Sequence, residues 1–245
     1  MLATLRALLW IDPLIVLCTI VMGILSLTVS LFDKTGCRQN RLARVWARML
    51  LKISGVRLEA QGVEKLDPGA SYVLVANHMS YMDIPAILAT IPLEVRFFAK
   101  RGLFKIPFLG THLRRAGHLQ VVRGDPRASL KILQEAAHRL QQEAITPLLF
   151  PEGGRSPAAL RDFKEGAAHL AIKAGVPVVP LALVGTRQVL PMGSIVVRPG
   201  KIIVRVGEVI ETSGMKSRDR ADLNRRLREQ VAELMEPHGA NEQVC

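Results

Sequence analysis

The sequence predicts an α/β fold: a mainly parallel or mixed sheet flanked by helices, preceded by an N-terminal membrane-anchoring helix and a basic amphipathic helix. Three observations carry this. An uncharged apolar segment lies near the N-terminus, basic residues at helical spacing follow it, and from residue 55 onward short apolar runs alternate with helical periodicities. Strands alternating with helices build layered sheets covered on both faces. The chain therefore divides into an anchor with its amphipathic helix at 1–54 and a globular body at 55–245.

Pro13 to Phe32 contains no charged residue. As a helix it is about 30 Å long, the hydrocarbon thickness of a bilayer. Asp12 and Asp33 bracket it. Arg6 lies upstream, whereas Lys34, Arg38, Arg41, Arg44 and Arg48 lie downstream. Positive charge accumulates on the cytoplasmic side, so the body is expected there. The apolar stretch is too long for the core of a cleaved signal peptide, and no A-x-A site follows it. A buried core helix, or a half-inserted anchor bent at Pro13 and Gly23, are the alternative readings.

Lys34 to Leu58 holds seven basic residues and no acidic one. Arg38, Arg41, Arg44, Arg48 and Lys52 fall on one helical stripe, with Leu42, Trp46, Met49, Leu50 and Ile53 beside it. Such a helix can lie in a lipid interface, apolar side toward the acyl chains and basic side toward phosphates. It can equally pack on its own domain.

In the body, Val56 to Glu59 reads as a strand, and Tyr72 to Ala76 as one buried on both faces. A helix is expected from Met82 to Ala89, and strands at Val95 to Ala99 and Leu119 to Val122. Asp125 and Pro126 start a helix continued by Leu130, Leu133, Ala137 and Leu140. Pro147 to Phe150 is a strand entering a glycine turn. Phe163 to Ala174 reads as a helix closed by Gly175. Strands follow at Val178 to Val184 and Ile202 to Val206. A last helix runs from Asp219 to Met235 and stops at Pro237.

Composition narrows the function classes. At 49% apolar and 22% charged, the 245 residues can build a substantial core, which excludes disorder. The net charge of +12 calls for an anionic partner. Aromatic residues at 4% are too few for a single-strand stacking platform, so nucleic acid is not expected. Cys18, Cys37 and Cys245 are odd in number and scattered, which argues against a disulfide framework or a zinc site.

Ligand sites in open α/β sheets collect where strands end. Two turns there carry chemistry. Asn77-His78-Met79-Ser80-Tyr81-Met82-Asp83 follows a buried strand. If Asp83 holds one ring nitrogen of His78, the other can take a proton from a hydroxyl. The plainer reading has Asp83 capping a helix and His78 in a surface turn. Phe150-Pro151-Glu152-Gly153-Gly154-Arg155-Ser156 offers backbone amides and a guanidinium fork suited to phosphate. It is neither a P-loop nor a serine-hydrolase elbow. Taken alone it is also compatible with an ordinary turn. The remaining histidines, His112, His118, His138, His169 and His238, have no partner at a telling spacing and read as surface or packing residues, as Tyr81 reads as a packing residue.

Together the turns resemble the glycerolipid acyltransferases of the 1-acylglycerol-3-phosphate (lysophosphatidic acid) type. Asn77, His78, Ser80 and Asp83 match the family's N-H-x-S-x-x-D block. Lys100 to Leu103 with Pro107 and Gly110, Gly117 to Arg123, and Val176 to Pro180 resemble further blocks in family order. Phe150 to Ser156 matches F-P-E-G-T-R-S, except that Gly154 replaces threonine. The resemblance implies acyl transfer from acyl-CoA or acyl carrier protein to the free hydroxyl of 1-acylglycerol-3-phosphate, giving phosphatidic acid. His78 would be general base and Asp83 its orienting partner. Lys100, Arg123 and Arg155 would bind the acceptor phosphate, with Glu152, Gly153 and Gly154 shaping the pocket and Lys164 as a further candidate contact. No metal and no cofactor beyond the thioester co-substrate is implied. The expected setting is the cytoplasmic face of the inner membrane, among membrane lipids.

Overall fold

The computed structural model describes residues 5–121, 126–143, 145–156 and 159–236. Val122, Arg123, Asp125, Pro237, His238 and Cys245 lie outside the described residues. A π-helical turn at Ala7–Ile11 runs straight into α1 (Asp12–Val29). Then come α2 (Cys37–Ile53), β1 (Val56–Gln61), β2 (Val73–Ala76), α3 (Asp83–Thr90), β3 (Val95–Lys100), α4 (Leu109–Arg115) and β4 (Leu119–Val121). They are followed by α5 (Pro126–Gln142), β5 (Thr146–Leu149), α6 (Gly166–Ala174), β6 (Val178–Val184), a single turn α7 (Thr186–Val189), β7 (Gly200–Val206) and α8 (Arg220–Met235).

The strands form one seven-stranded sheet in the order β1-β7-β6-β2-β5-β3-β4. All neighbours are parallel except β6 and β7, so the sheet is mixed. Strands β2 and β5 are buried along their whole length, as their unbroken apolar runs require. Leu74 and Ala76 face a core shared with α2 and α3. Val73 and Val75 face the opposite core, with α5, α6 and α8. Each fully buried leucine or isoleucine there, such as Leu74, Ile87 or Leu148, stabilises by about 1.5–3 kcal/mol relative to exposure.

Residues Ala7–Val29 make one helix long and apolar enough to cross a membrane. Leu14, Leu17, Val21 and Ile24 are exposed on its outer side. Its inner side is tied to the body. The Trp46 indole N–H donates to Thr19 Oγ1 at 3.1 Å, and Arg115 donates to Ser30 Oγ at 2.8 Å.

Helix α2 is amphipathic, as expected, but its apolar side turns inward. Ala47, Leu50 and Leu51 are buried in the sheet core, with Trp46 and Ile53 packed against them. The basic stripe is also incomplete. Arg44 turns inward to donate to the Leu93 carbonyl and lies 3.9 Å from Glu94.

Two further differences have local causes. The helix expected from Phe163 starts at Gly166, because the preceding residues act as a strap. The Lys164 amide donates to the Pro151 carbonyl at 3.0 Å, and Asn224 donates to the Phe163 carbonyl at 2.8 Å. Helix α4 has no expected counterpart. Its close packing needs Gly110, where a Cβ would stand 2.1 Å from the Phe104 carbonyl oxygen.

Candidate active site

Strands β2, β5 and β3 are parallel neighbours, so their carboxyl ends lie along one sheet edge. The chain leaves β2 into α3 on one face and, after the strap, reaches α6 on the other. A crevice between such diverging connections is the favoured ligand site of an open α/β sheet.

Asn77 fixes the exit from β2. Its Nδ2 donates to the Leu183 carbonyl at 2.9 Å, and its Oδ1 accepts the Leu183 amide at 2.7 Å. The side chain thus continues the ladder to β6 while the main chain turns away. Asp83 then organises the turn. Its Oδ2 accepts from His78 Nδ1 at 2.7 Å, the Met79 amide at 2.8 Å and the Ser80 amide at 2.9 Å. The carboxylate is fully buried. It reaches backward across the turn and does not act as the N-cap of α3, a position held by Met82. The His78 ring stacks on Phe150 at 4.0 Å and 15°. Its Nε2 has no hydrogen-bond partner among the described residues. With Nδ1–H donated to Asp83, the Nε2 lone pair is left for chemistry. Ser80 Oγ donates to the Leu190 carbonyl at 2.8 Å and holds the turn against the loop after α7.

The second turn is bolted to the first. The His78 amide donates to Glu152 Oε1 at 2.7 Å, and the Arg161 amide to Oε2 at 3.0 Å. The Ser156 amide donates to the His78 carbonyl at 2.8 Å. Glu152 is only 6% exposed. Both oxygens are taken by amides, and it braces the crevice. Gly153 adopts φ +75°, and a Cβ there would meet Lys164 Nζ at 2.9 Å. Lys164 thus lies across the glycine turn. The Arg155 guanidinium sits 3.6 Å above the Tyr81 ring.

Sequence reasoning gave Tyr81 a packing role; the structure makes it the platform that aims Arg155. Lys100 is exposed at the end of β3, on the same sheet edge. The structure thus brings together His78, Asp83, Glu152, Gly153, Gly154 and Arg155, with Lys164 beside them. Arg123 lies outside the described residues. Among the described residues no cluster of three or more His, Cys, Asp or Glu side chains is placed to hold a metal ion.

A cavity of about 820 Å³ adjoins this edge, its wall predominantly apolar and drawn from α1, α2, α3, β3 and α4. Ile84, next to Asp83, and Ala99, next to Lys100, line it. Two histidines that sequence left unassigned also line it. His118 Nδ1 accepts the Phe97 amide at 3.1 Å. Burial, then the charges around His112, Arg96 and Arg139, push its pKa down to about 3. Burial also lowers that of His112.

A family model described as Acyltransferase matches residues 57–184. The chain belongs to the acyltransferase family. It is 34% identical over 169 residues to a chloroplastic 1-acyl-sn-glycerol-3-phosphate acyltransferase of Brassica napus, covering 68% of this chain and 48% of that protein. It is 32% identical over 183 residues to a 1-acyl-sn-glycerol-3-phosphate acyltransferase of Cocos nucifera, covering 74% and 59%. The chain thus spans about half the length of these curated relatives. Among solved structures, the chain resembles the 1-acyl-sn-glycerophosphate acyltransferase PlsC of Thermotoga maritima with a TM-score of 0.78 and 26% identity. That likeness covers 94% of this chain and 95% of the other.

Proposed function

We propose that this acyltransferase moves a fatty acyl group from acyl-CoA or acyl carrier protein to the free hydroxyl of 1-acylglycerol-3-phosphate, forming phosphatidic acid. The observation that carries the reading is the 2.7 Å bond from His78 Nδ1 to a fully buried Asp83, which leaves Nε2 open. Nε2 takes the hydroxyl proton as the oxygen attacks the thioester carbonyl. The C–S bond then breaks, and the departing thiolate takes the proton back from the imidazolium. The thioester is already activated, so neither a covalent enzyme intermediate nor a cofactor is required. Positioning and base catalysis supply the rate.

Arg155, Lys164 and Lys100 supply positive charge for the acceptor phosphate, with the amides at Gly153 and Gly154. The apolar cavity holds a fatty chain. Residues 1–54 serve as the membrane-facing segment and 55–245 as the catalytic domain. Helix α1 sits in the inner membrane, and the excess of cations after it keeps the body on the cytoplasmic face.

The test offers purified protein in mixed micelles a matrix of acyl donors and phosphorylated acceptors. Phosphatidic acid is expected from 1-acylglycerol-3-phosphate, and His78→Ala is expected to cut turnover about 10²-fold or more. Turnover near that of the unaltered protein in His78→Ala would remove the base assignment. Product from glycerol-3-phosphate alone would replace the acceptor.

A further inference from the structure

The cavity wall carries one polar patch that the acyl-transfer chemistry does not use. Ser26 on α1, Gln39 on α2 and His112 on α4 meet there. Ser26 Oγ lies 3.0 Å from His112 Nδ1, and Gln39 Nε2 lies 3.3 Å from Ser26 Oγ and 3.4 Å from the same ring nitrogen. Gln39 is fully buried, yet its Oε1 has no hydrogen-bond partner. All three side chains line the cavity, as does His118.

We propose that this patch recognises a hydrogen-bonding oxygen on the aliphatic chain, so that the cavity selects hydroxylated acyl chains over plain chains of equal length. The inference rests on reading the cavity as the acyl pocket, and it names the class of chain that pocket takes.

The chemistry of the patch is polar and uncharged. Gln39 donates to Ser26, and Ser26 donates to His112 Nδ1, which leaves His112 Nε2–H as a donor and Gln39 Oε1 as an acceptor. His118 already accepts the Phe97 amide at Nδ1, so its Nε2 also carries a proton. Burial keeps both imidazoles neutral. Arg96, which also lines the cavity, spends its terminal nitrogens on Glu94, Val95 and Thr35, while its buried Nε has no partner. Ser26, Gln39 and His112 themselves offer no charge to an anionic group. A hydroxyl both donates and accepts, which is what the patch offers partners for. A hydroxyl seated against the patch gives Gln39 Oε1, already buried without a partner, the hydrogen bond it lacks, whereas a plain chain leaves it unsatisfied.

The experiment measures equilibrium binding of stearic acid and a positional series of hydroxystearic acids to the full chain in detergent. Turnover of the matching CoA and acyl carrier protein thioesters is measured alongside. At one hydroxyl position, binding about five- to tenfold tighter than stearic acid is expected. Gln39→Leu and Ser26→Ala are expected to bring that ratio to about one; both are read, so that a fold defect in one does not decide the matter. A ratio near one at every position in the unaltered protein overturns the proposal, as does a ratio that survives both substitutions. A binding preference that holds while the same chains are turned over neither as CoA thioesters nor as acyl carrier protein thioesters supports the patch and sinks the acyl-transfer reading instead.

Discussion

At the sheet edge, His78 meets an acid five positions along the chain, and Glu152 reaches back 74 positions to the same turn. In the cavity wall, His112 finds its partner 86 positions away on another helix. The first set is held chiefly by backbone amides of two strand-end turns. The second is held by side chains projecting from packed helices. Backbone turns fix an imidazole with a polar neighbour on one nitrogen and leave the other open. Helix faces enclose an imidazole until burial drives it neutral. The same residue type thus keeps an open ring nitrogen in one place and is held neutral by burial in the other.

That contrast can be broken most severely at Asp83. Asp83→Asn keeps the shape but presents an amide where the Nδ1–H and two backbone amides converge, which favours the wrong tautomer. A fall in kcat of about 10²–10⁴ is expected, read by product formation under saturating donor. A fall below tenfold would mean that Nδ1 needs no orienting acid.

Glu152→Gln comes next. One oxygen is lost from a buried brace that serves two amides, so unfolding free energy should drop by about 1.5–3 kcal/mol. Denaturant titration checks this, and an unchanged midpoint would detach the brace from the crevice. Arg155→Ala should raise the acceptor KM about ten- to hundredfold and leave the thioester KM near its original value. Equal rises in both would place Arg155 with the donor.

At neutral pH the least affected property is the titration of His118, whose effect emerges only on acidification. Its folded pKa is about 3 against an ordinary 6.5. Below 6.5 the unfolded chain takes a proton that the folded chain refuses, so stability falls as pH drops from 6.5 toward 3. His118→Asn keeps an acceptor for the Phe97 amide and removes the titration. Its melting temperature should fall less steeply between pH 6.5 and 4 than that of the unaltered protein. Parallel curves would show that the ring is protonated in the fold.

Much of the crevice was legible in the sequence because it is written in two contiguous segments, Asn77 to Asp83 and Phe150 to Ser156. Buried strands β2 and β5 announce themselves as unbroken apolar runs. Tyr81 reads from sequence as a packing residue, since its contact with Arg155 crosses two turns and leaves no periodic trace. The inward turn of Arg44 depends on Leu93 and Glu94, far along the chain. Helix α4 is short and weakly patterned, and tertiary contacts from α1 and Phe104 define it. The cavity wall is assembled from five elements, so no single stretch of sequence describes it.

Strand β5 returns to the sheet between β2 and β3, after an excursion through α3, β3, α4, β4 and α5. The two strand-end turns become neighbours only on that return. Much of the cavity wall comes from the excursion itself. On the proposed function, lengthening or trading the α4 portion would re-tailor which lipid tail fits while the His78–Asp83 pair keeps its place. In this architecture, tail preference can be re-engineered as a cassette, separately from the reaction.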